Sequence, residues 1–349
     1  MPYYLIYFLL FCYSIYSISK NRNGQIAGAI FALLLALLAS LRYDTGTDFN
    51  AYQSIWNTTR ALNFSFVTYE YVEPGFLMVN SLLKAVYKGD FLYFSFYAFA
   101  TIMFLYVGLK KLKINLVFVM LLYYCLFYFA FTFNAMRQAL AMAMFVYSLN
   151  FLIKGKVKEY FLLNILAMCF HVSSIVYIFF GAIWFFDISK KHFVFSIFLP
   201  LITLFIYISG LGYEVFSFFT SALGKPSTYL SEWKEEISVN QWASRIVMLI
   251  AISFFTLKHQ ENKLISSLGF FYIIGFSLYI LFADVAMLSS RLNMAFRIVE
   301  IIIAGLLLIE YRTISNKFFV FLVFMIPYSI QFLINASNPD NQYILRSAF

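Results

Sequence analysis

The sequence predicts an all-α protein that crosses a membrane many times, and three observations support this prediction. Of 349 residues, 63% are hydrophobic and 12% are charged, against about 45–50% and about 25% in soluble domains. Apolar runs of about 20 residues, the length that spans a bilayer, recur along the whole chain. The Lys and Arg residues stand in short clusters between these runs, as topology signals do. The prediction is therefore a polytopic transmembrane helix bundle, formed as a single domain over residues 1–349.

Ten apolar runs are predicted to be full spans. The first run has no basic residue before it and no small-residue cleavage site after it, so we expect a retained span rather than a signal peptide. The others are bounded by charged or polar residues. The ten predicted spans are Tyr3–Ile18, Gln25–Leu41, Phe91–Leu109, Ile114–Phe133, Ala135–Ile153, Phe193–Ser209, Ser244–Leu257, Leu264–Ala283, Asn293–Glu310 and Phe318–Ile334.

Two further apolar segments do not fit as simple spans. Gly75–Tyr87 has 13 residues, too few to cross a bilayer at about 1.5 Å per residue, so it is predicted to be a half-helix. Glu159–Phe186 is long enough, but the sequence Cys169–Ser174 interrupts it near the middle. We expect this segment to form a pair of helices that dips into the membrane and returns.

The basic clusters select one topology. If Gly75–Tyr87 is a half-helix on the outer face and Glu159–Phe186 dips in and returns, all six clusters fall on the cytoplasmic side, as the positive-inside rule requires. Residues 42–90, with short helices, and residues 210–243 then form two periplasmic loops, and both termini lie outside. Lys84 and Lys88 are the exceptions, since they also fall outside. The cytoplasmic clusters are Lys20/Arg22, Lys110–Lys113, Lys154–Lys158, Lys190/Lys191, Lys258/Lys263 and Arg312/Lys317.

The remaining global features exclude several classes of function. The formal net charge of +9 is explained by the topology clusters, so no nucleic-acid partner is expected. The three cysteines, Cys12, Cys125 and Cys169, lie inside apolar runs and make no metal-ligand spacing with His or carboxylates. The chain has no P-loop, no dinucleotide-binding glycine pattern and no HExxH or GxSxG motif. We therefore expect no metal and no cofactor.

Three acidic residues of the first periplasmic loop are candidates for chemistry. Asp44 and Asp48 are four residues apart with Gly46 between them. Asp48 is placed to cap a helix that starts at Phe49; alternatively, one of the two carboxylates orients or deprotonates a sugar hydroxyl. Glu73 precedes the half-helix, where a carboxylate is often no more than a partner of the helix dipole.

The other polar positions lie at the outer ends of predicted spans. Asn134, Arg137 and Gln138 could hold a phosphate by charge-assisted hydrogen bonds, although Arg at a helix end can simply extend towards head groups. His171 lies in the break of the dipping pair, where a lone His is more often a buried hydrogen-bonding residue than a catalyst. Arg291 and Arg297 flank the start of the ninth span. Arg297 falls within the apolar run, where a charge is costly and usually functional.

Four of these segments resemble the EpsG family of membrane proteins. The resemblance rests on Arg42–Asp48 with Tyr52, on Glu73–Phe76, on Met136–Ala141 and on Phe170–Ser173, in the family's order and at similar distances. It extends over about residues 1–310, and the tail from Asn335 matches nothing recognised.

The family includes Wzy-type O-antigen and exopolysaccharide polymerases. The resemblance therefore implies a membrane glycosyltransferase of lipopolysaccharide or related polysaccharide biosynthesis in the bacterial inner membrane, with a periplasmic active site and a GT-C-like fold. It implies undecaprenyl-pyrophosphate-linked glycans as donor and acceptor, contact with membrane lipids, and a chain-length regulator protein as a partner.

The implied reaction suggests roles for these residues. The acceptor hydroxyl must lose a proton as it attacks the anomeric carbon, and the charge of the departing pyrophosphate must be neutralised. We expect His171 to be the base, with Asp44 and Asp48 as competitors, and Glu73 to bind acceptor hydroxyls. Arginines can neutralise pyrophosphate without metal. The expected substrate-binding residues are Arg42, Tyr52, Glu73, Asn134, Arg137, Gln138, Arg291 and Arg297.

Three alternatives remain open. A flippase for lipid-linked oligosaccharides would need charges buried midway through many spans. An O-acyltransferase would place a His against a cytoplasmic acyl donor, whereas His171 is predicted outside. An O-antigen ligase uses nearly the same chemistry as a polymerase, so only the family motifs favour the polymerase.

Overall fold

The protein is described from a computed structural model that covers residues 2–62, 72–186, 188–211, 214 and 239–346. Most of the predicted second periplasmic loop, residues 210–243, lies outside the described residues, as do residues 63–71 of the first loop. In the described part, helices form every element longer than two residues, as predicted. The chain divides into two units, the first formed by Met1–Gly181 with Ala304–Phe349 and the second by Ala182–Ile303.

The helices follow one another closely along the chain. Short 3-10 helices at Val172–Ser174 and Pro339–Asn341 and a π-helix at Tyr128–Asn134 complete them. The α-helices are α1 (Pro2–Ser19), α2 (Gln25–Ser40), α3 (Phe49–Thr58), α4 (Pro74–Val86), α5 (Asp90–Lys111), α6 (Leu116–Leu126), α7 (Met136–Ile153), α8 (Val157–Met168), α9 (Ile175–Phe185), α10 (Lys190–Ser196), α11 (Leu199–Ile208), α12 (Val239–Lys258), α13 (Lys263–Leu281), α14 (Ala286–Glu310) and α15 (Ile314–Ser337).

The protein is a multi-pass membrane protein. Seven helices among the described residues are long and apolar enough to cross a membrane, or eight if α6 and the π-helix form one span. The other two predicted spans are helical but are not both long enough and apolar enough to be counted with these helices. Helix α2 has 16 residues, and α12 begins with polar residues that include Gln241 and Arg245. The number of ten full spans stays a prediction.

The predicted span Ile114–Phe133 is not a straight helix. The α-helix ends at Leu126, and the π-helix that follows is bent from it by 75°. The last turn of the π-helix is stabilised by a residue that does not belong to the helix, because Arg42 donates hydrogen bonds to the carbonyls of Thr132 and Phe133. An apolar run shows only that lipid or protein covers it, and a bend of this kind depends on contacts with distant residues.

The segment Glu159–Phe186, which is predicted to dip into the membrane, is broken where the sequence predicted. Helix α8 ends at Met168 and α9 begins at Ile175. The two run antiparallel, since the Tyr160 hydroxyl donates to the Tyr177 carbonyl and Gly181 packs against the ring of Tyr160. Helix α4 is short, as expected, with Pro74 in its first turn, where the missing N–H costs no hydrogen bond.

Each unit has a tightly packed core. In the first unit α5 and α7 approach closely, because a Cβ atom on Gly108 would lie 2.8 Å from the backbone of Tyr147. Every residue of α6 is buried. In the second unit α11 and α12 pack on α13, and Gly269 lies against Thr256.

The C-terminal tail returns to the start of the first loop. Strand β1 (Arg42–Tyr43) pairs antiparallel with β2 (Ile344–Leu345). The Gly46 N–H donates to the Asp340 carbonyl (2.8 Å), and the Arg346 N–H donates to the Leu41 carbonyl (2.9 Å). The tail therefore holds the loop segment that carries Asp44 and Asp48.

Candidate active site

Three sequence segments that are far apart along the chain meet in the first unit. Glu73, at the start of α4, forms an ion pair with Arg137 in the first turn of α7. Its second carboxylate oxygen, Oε1, accepts a hydrogen bond from the Val172 N–H (3.1 Å) at the break between α8 and α9. Both charged side chains keep some exposure, 15% for Glu73 and 21% for Arg137. The Glu73 carboxylate thus joins three elements and remains accessible.

Backbone contacts hold α4 against the α8–α9 break. The Gly75 N–H donates to the Cys169 carbonyl (2.9 Å). A Cβ atom on Gly75 would lie 2.7 Å from that carbonyl oxygen, so this approach requires the absence of a side chain. The amide of Phe76 points to the same carbonyl (3.3 Å). The orphan N–H groups of the helix start are thereby satisfied.

Arg137 is the cation at the centre of this cluster. Its guanidinium carbon lies 5.5 Å from the centre of the Phe76 ring, and its charge interacts with Tyr52 as well as with Glu73. Within the described part of the chain, the buried Nε atom of Arg137 has no hydrogen-bond partner. The guanidinium therefore keeps one donor that no described residue uses.

Tyr52 connects Arg137 with Asp48. It lies one turn after Asp48 on α3, and the Asp48 carboxylate and the Arg137 guanidinium both act on its hydroxyl. Burial raises the pKa of Tyr52 above its ordinary value, so the phenol keeps its proton at neutral pH. Asp48 stands at the N-cap position of α3 but its side chain makes no capping hydrogen bond. The predicted cap is therefore wrong, and the carboxylate lies beside the cluster.

His171 uses one ring nitrogen in local structure. Its Nδ1 accepts a hydrogen bond from the Ser173 N–H (3.3 Å) and lies 2.7 Å from the Ser173 hydroxyl oxygen. This cap starts the 3-10 helix between α8 and α9. A neutral ring that accepts through Nδ1 carries its proton on Nε2. In this state Nε2 is a hydrogen-bond donor rather than a proton acceptor.

Arg42 is fully buried and bonded to backbone. Its guanidinium donates to the carbonyls of Ala39 (3.1 Å), Thr132 (3.3 Å) and Phe133 (2.7 Å) and stacks over the Phe133 ring at 4.8 Å. Burial lowers its pKa to about 10, so the group stays cationic at neutral pH. Its geometry favours fixing the end of the π-helix over direct contact with a substrate.

Asn134 is also committed to backbone. Its Oδ1 accepts from the Asp48 N–H (3.2 Å) and its Nδ2 donates to the Phe129 carbonyl (2.9 Å). Gly46 has a φ of 98°, and a Cβ atom there would lie 2.4 Å from that Oδ1. Asn134 thereby positions the segment that carries Asp48.

The remaining candidates differ in exposure. Asp44 is exposed in a left-handed conformation (φ 42°), and Gln138 is buried within α7. Arg291 and Arg297 belong to the second unit; Arg291 is exposed, whereas Arg297 is buried and paired with Glu300. The described residues contain no group of His, Cys and acidic side chains that could hold a metal ion.

Sequence reasoning missed three residues. Glu300 and Arg245 are buried charges of the second unit, and both stand inside apolar runs, which was a usable signal. Arg346, in the tail, forms an ion pair with Asp90. No local pattern indicated this contact, because the partners are separated by almost the whole chain.

The fold and the cluster define a multi-pass helical membrane protein with an accessible ionic centre where three chain segments converge. The chain belongs to the EpsG family, whose model matches residues 25–346. The match extends through the tail, beyond the segment that carried the resemblance. Neither a curated protein nor a solved structure matches the chain. Family membership supports a role at a membrane in polysaccharide polymerisation, acting on lipid-linked glycans.

Proposed function

We propose that the protein is a membrane glycosyltransferase that joins undecaprenyl-pyrophosphate-linked oligosaccharide repeats into O-antigen or a related surface polysaccharide. It acts at the periplasmic face of the bacterial inner membrane, with a GT-C-like arrangement of helices and a chain-length regulator as partner. The observation that carries the proposal is the Glu73–Arg137 pair, which joins three family segments in one accessible cluster.

The proposed reaction is a single displacement at the anomeric carbon of the donor. A hydroxyl oxygen of the acceptor sugar bonds to that carbon, the bond from the carbon to the diphosphate oxygen breaks, and the hydroxyl proton passes to a base. Arg137 binds the departing diphosphate, because a guanidinium matches phosphate oxygens and stays charged. Its unpartnered Nε supplies a donor in addition to the nitrogen that holds Glu73.

The base is assigned to Asp48 rather than to His171. The Nδ1 of His171 caps the 3-10 helix, which leaves Nε2 protonated and suited to donate to a substrate oxygen. Asp48 keeps its carboxylate free of the helix cap and beside Tyr52. Asp44, whose side chain is exposed, is a further candidate for the base. Glu73 holds Arg137 in place, and its partly exposed carboxylate accepts a hydrogen bond from an acceptor hydroxyl in this proposal.

The other candidates take supporting roles in this proposal. Arg42 and Asn134 fix the backbone around Asp48, and Gln138 lies in the helix that carries Arg137. Arg291 and Arg297 remain candidates for phosphate contact in the second unit. A flippase or a ligase would share the membrane fold, but the ionic cluster suits chemistry on a diphosphate better than passage of a glycan.

Gene deletion followed by gel analysis of the glycan tests the proposal. A polymerase deletion leaves glycan with a single repeat in place of a ladder. Loss of all glycan would indicate a flippase, and unligated lipid-linked polymer would indicate a ligase. Complementation with Glu73→Gln should fail to restore the ladder, whereas the matched control Glu159→Gln, at an exposed carboxylate, should restore it.

A further inference from the structure

Among its described residues, the second unit has three buried charged side chains, one of which, Arg245, has no role in the proposed reaction. Arg245 on α12 is 5% exposed, and Arg297 and Glu300 on α14 are 6% and 0% exposed. Two cations and one carboxylate leave a net charge of +1 in an apolar environment. Buried charges are normally paired, because an unpaired charge loses its hydration without compensation.

Arg297 already has its counter-charge. Its Nε lies 2.6 Å from Oε1 of Glu300 and its Nη2 lies 3.2 Å from Oε2, a two-pronged pair one helical turn apart. This geometry is the strong form of an arginine–carboxylate contact. The pair is neutral as a whole, so the excess charge belongs to Arg245.

Among the described residues, Arg245 has an aromatic neighbour but no ion-pair partner. Its guanidinium carbon lies 3.8 Å from the centre of the Tyr279 ring on α13. Its Nη1 is buried and has no hydrogen-bond partner among the residues described, and none of the ion pairs there includes it. The charges of Arg297 and Glu300 both reach it. A buried guanidinium without a bound counter-charge favours the binding of an anion.

We propose that Arg245 binds a phosphate group of a polyprenyl diphosphate in a second anion site, in addition to the one proposed at Arg137. This inference rests on the proposed function, because a polymerase that joins two lipid-linked glycans must accommodate two diphosphates. A planar guanidinium presents paired donors to phosphate oxygens. Trp242, one turn before Arg245 and 5.1 Å from the Tyr279 ring, forms an aromatic wall beside the site.

The test measures binding of undecaprenyl diphosphate to the purified full-length protein in lipid nanodiscs. Tryptophan fluorescence and the thermal melting temperature are the readouts, recorded in an Arg137→Gln background so that the second site is observed alone. Arg245→Gln should weaken binding at least tenfold and remove the melting-temperature shift. Arg312→Gln, which removes an exposed arginine, should bind normally. Unchanged affinity in Arg245→Gln would overturn the proposal.

Three other probes identify the source of the phosphate. Undecaprenol, which lacks phosphate, should give no Arg245-dependent shift, and inorganic pyrophosphate should compete with the lipid carrier. Equal Arg245-dependent stabilisation by phosphatidylglycerol would overturn the proposal, because it would show an ordinary site for bilayer lipid.

Stability without ligand separates a binding role from a structural one. If the charge of Arg245 is uncompensated until an anion binds, Arg245→Met should have a melting temperature no lower than that of the parent protein without ligand. The variant should also lose the increase in melting temperature that the ligand causes. Failure of this variant to fold, or a lower melting temperature without ligand, would overturn the proposal, because it would show that Arg245 is already compensated. Arg245→Lys keeps the charge but not the fork and should bind more weakly.

The two proposals fail in different ways. If the protein with Arg137 intact binds no undecaprenyl diphosphate, and gene deletion leaves the glycan ladder unchanged, the proposed function is wrong. If deletion removes the ladder but Arg245→Gln binds as tightly as its parent, only the second anion site is wrong.

Discussion

At the scale of single residues, the ionic cluster divides roles that the sequence could not separate. Arg137, Glu73 and Tyr52 interact with one another, and the charged pair keeps some exposure. The Nη atoms of the fully buried Arg42 and the side-chain amide of Asn134 bind backbone atoms instead. Residues with equal claims in the sequence are therefore distinguished by which polar atoms remain available to a ligand.

Arg137→Lys should keep the protein folded and nearly abolish polymerisation. Lys preserves the charge beside Glu73 but cannot bind that carboxylate and a diphosphate through a planar fork. Loss of a donor that stabilises developing charge costs roughly 10²–10³-fold in rate. Purified enzyme acting on lipid-linked repeats gives the measurement, with Arg60→Lys, at an exposed arginine, as the control. A rate near that of wild type would remove Arg137 from the site.

His171 is expected to tolerate Asn better than Ala. Asn supplies an oxygen that can accept from the Ser173 N–H, as Nδ1 does now, whereas Ala loses the cap at a cost of about 1 kcal/mol. Chemical denaturation measures the stability, and glycan gels measure the chain length. If His171→Asn folds with normal stability and makes no polymer, the imidazole itself acts on the substrate, through a donor at Nε2 or as the base.

At the scale of elements, the C-terminal tail acts as a strap on the loop segment that carries Asp44 and Asp48. Strand β2 pairs with β1, and Arg346 forms an ion pair with Asp90 at the start of α5. Asp90 also accepts from the Gln53 side chain of α3 (3.1 Å). The strap therefore connects α5 with the helix that carries Tyr52.

Arg346→Ala should lower the free energy of unfolding by about 1.5–3 kcal/mol, the usual contribution of a hydrogen bond to a charged group. Both partners are mostly buried, so screening by solvent is limited. A double-mutant cycle with Asp90→Asn measures the coupling between the two residues. The exposed Asp340 provides the control variant Asp340→Asn. Strict additivity of the two substitutions would show that the ion pair contributes nothing.

At the scale of the whole molecule, the direction of insertion is a prediction from charge alone. We expect Cys introduced at Thr58 to react with an impermeant thiol reagent from the periplasm, and Cys at Lys113 to be protected until the membrane is opened. Both positions are exposed in the fold, and the native cysteines would be replaced first. Labelling of position 113 from outside, with none at position 58, would reverse the topology.

The reaction is expected to proceed without a divalent metal. Cationic side chains can neutralise a departing diphosphate, and no metal-ligand spacing is visible in the sequence. Polymerisation by the purified protein should therefore continue in excess chelator. Activity that disappears in chelator and returns with magnesium would show that a metal takes part in the leaving-group step.

The amino-acid sequence alone determined the membrane class, the helices and their main interruptions. Hydropathy and glycine or proline positions act over a few residues, so the short helix α4 and the break after Met168 were predictable. The bend after Leu126 was not, because the carbonyls at the end of the π-helix are held by Arg42 from another part of the chain.

Tertiary structure alone decided which polar residues share a site. Glu73 meets Arg137 across 64 positions of sequence and Val172 across 99, and no local period encodes such a pair. The sequence identified all three segments as polar interruptions near the ends of predicted spans. It gave Arg42 and Arg137 equal standing as candidate ligands of the substrate. Burial separates them: Arg42 is fully buried and its two Nη atoms donate to carbonyls, whereas the side chain of Arg137 keeps 21% exposure and pairs with a carboxylate.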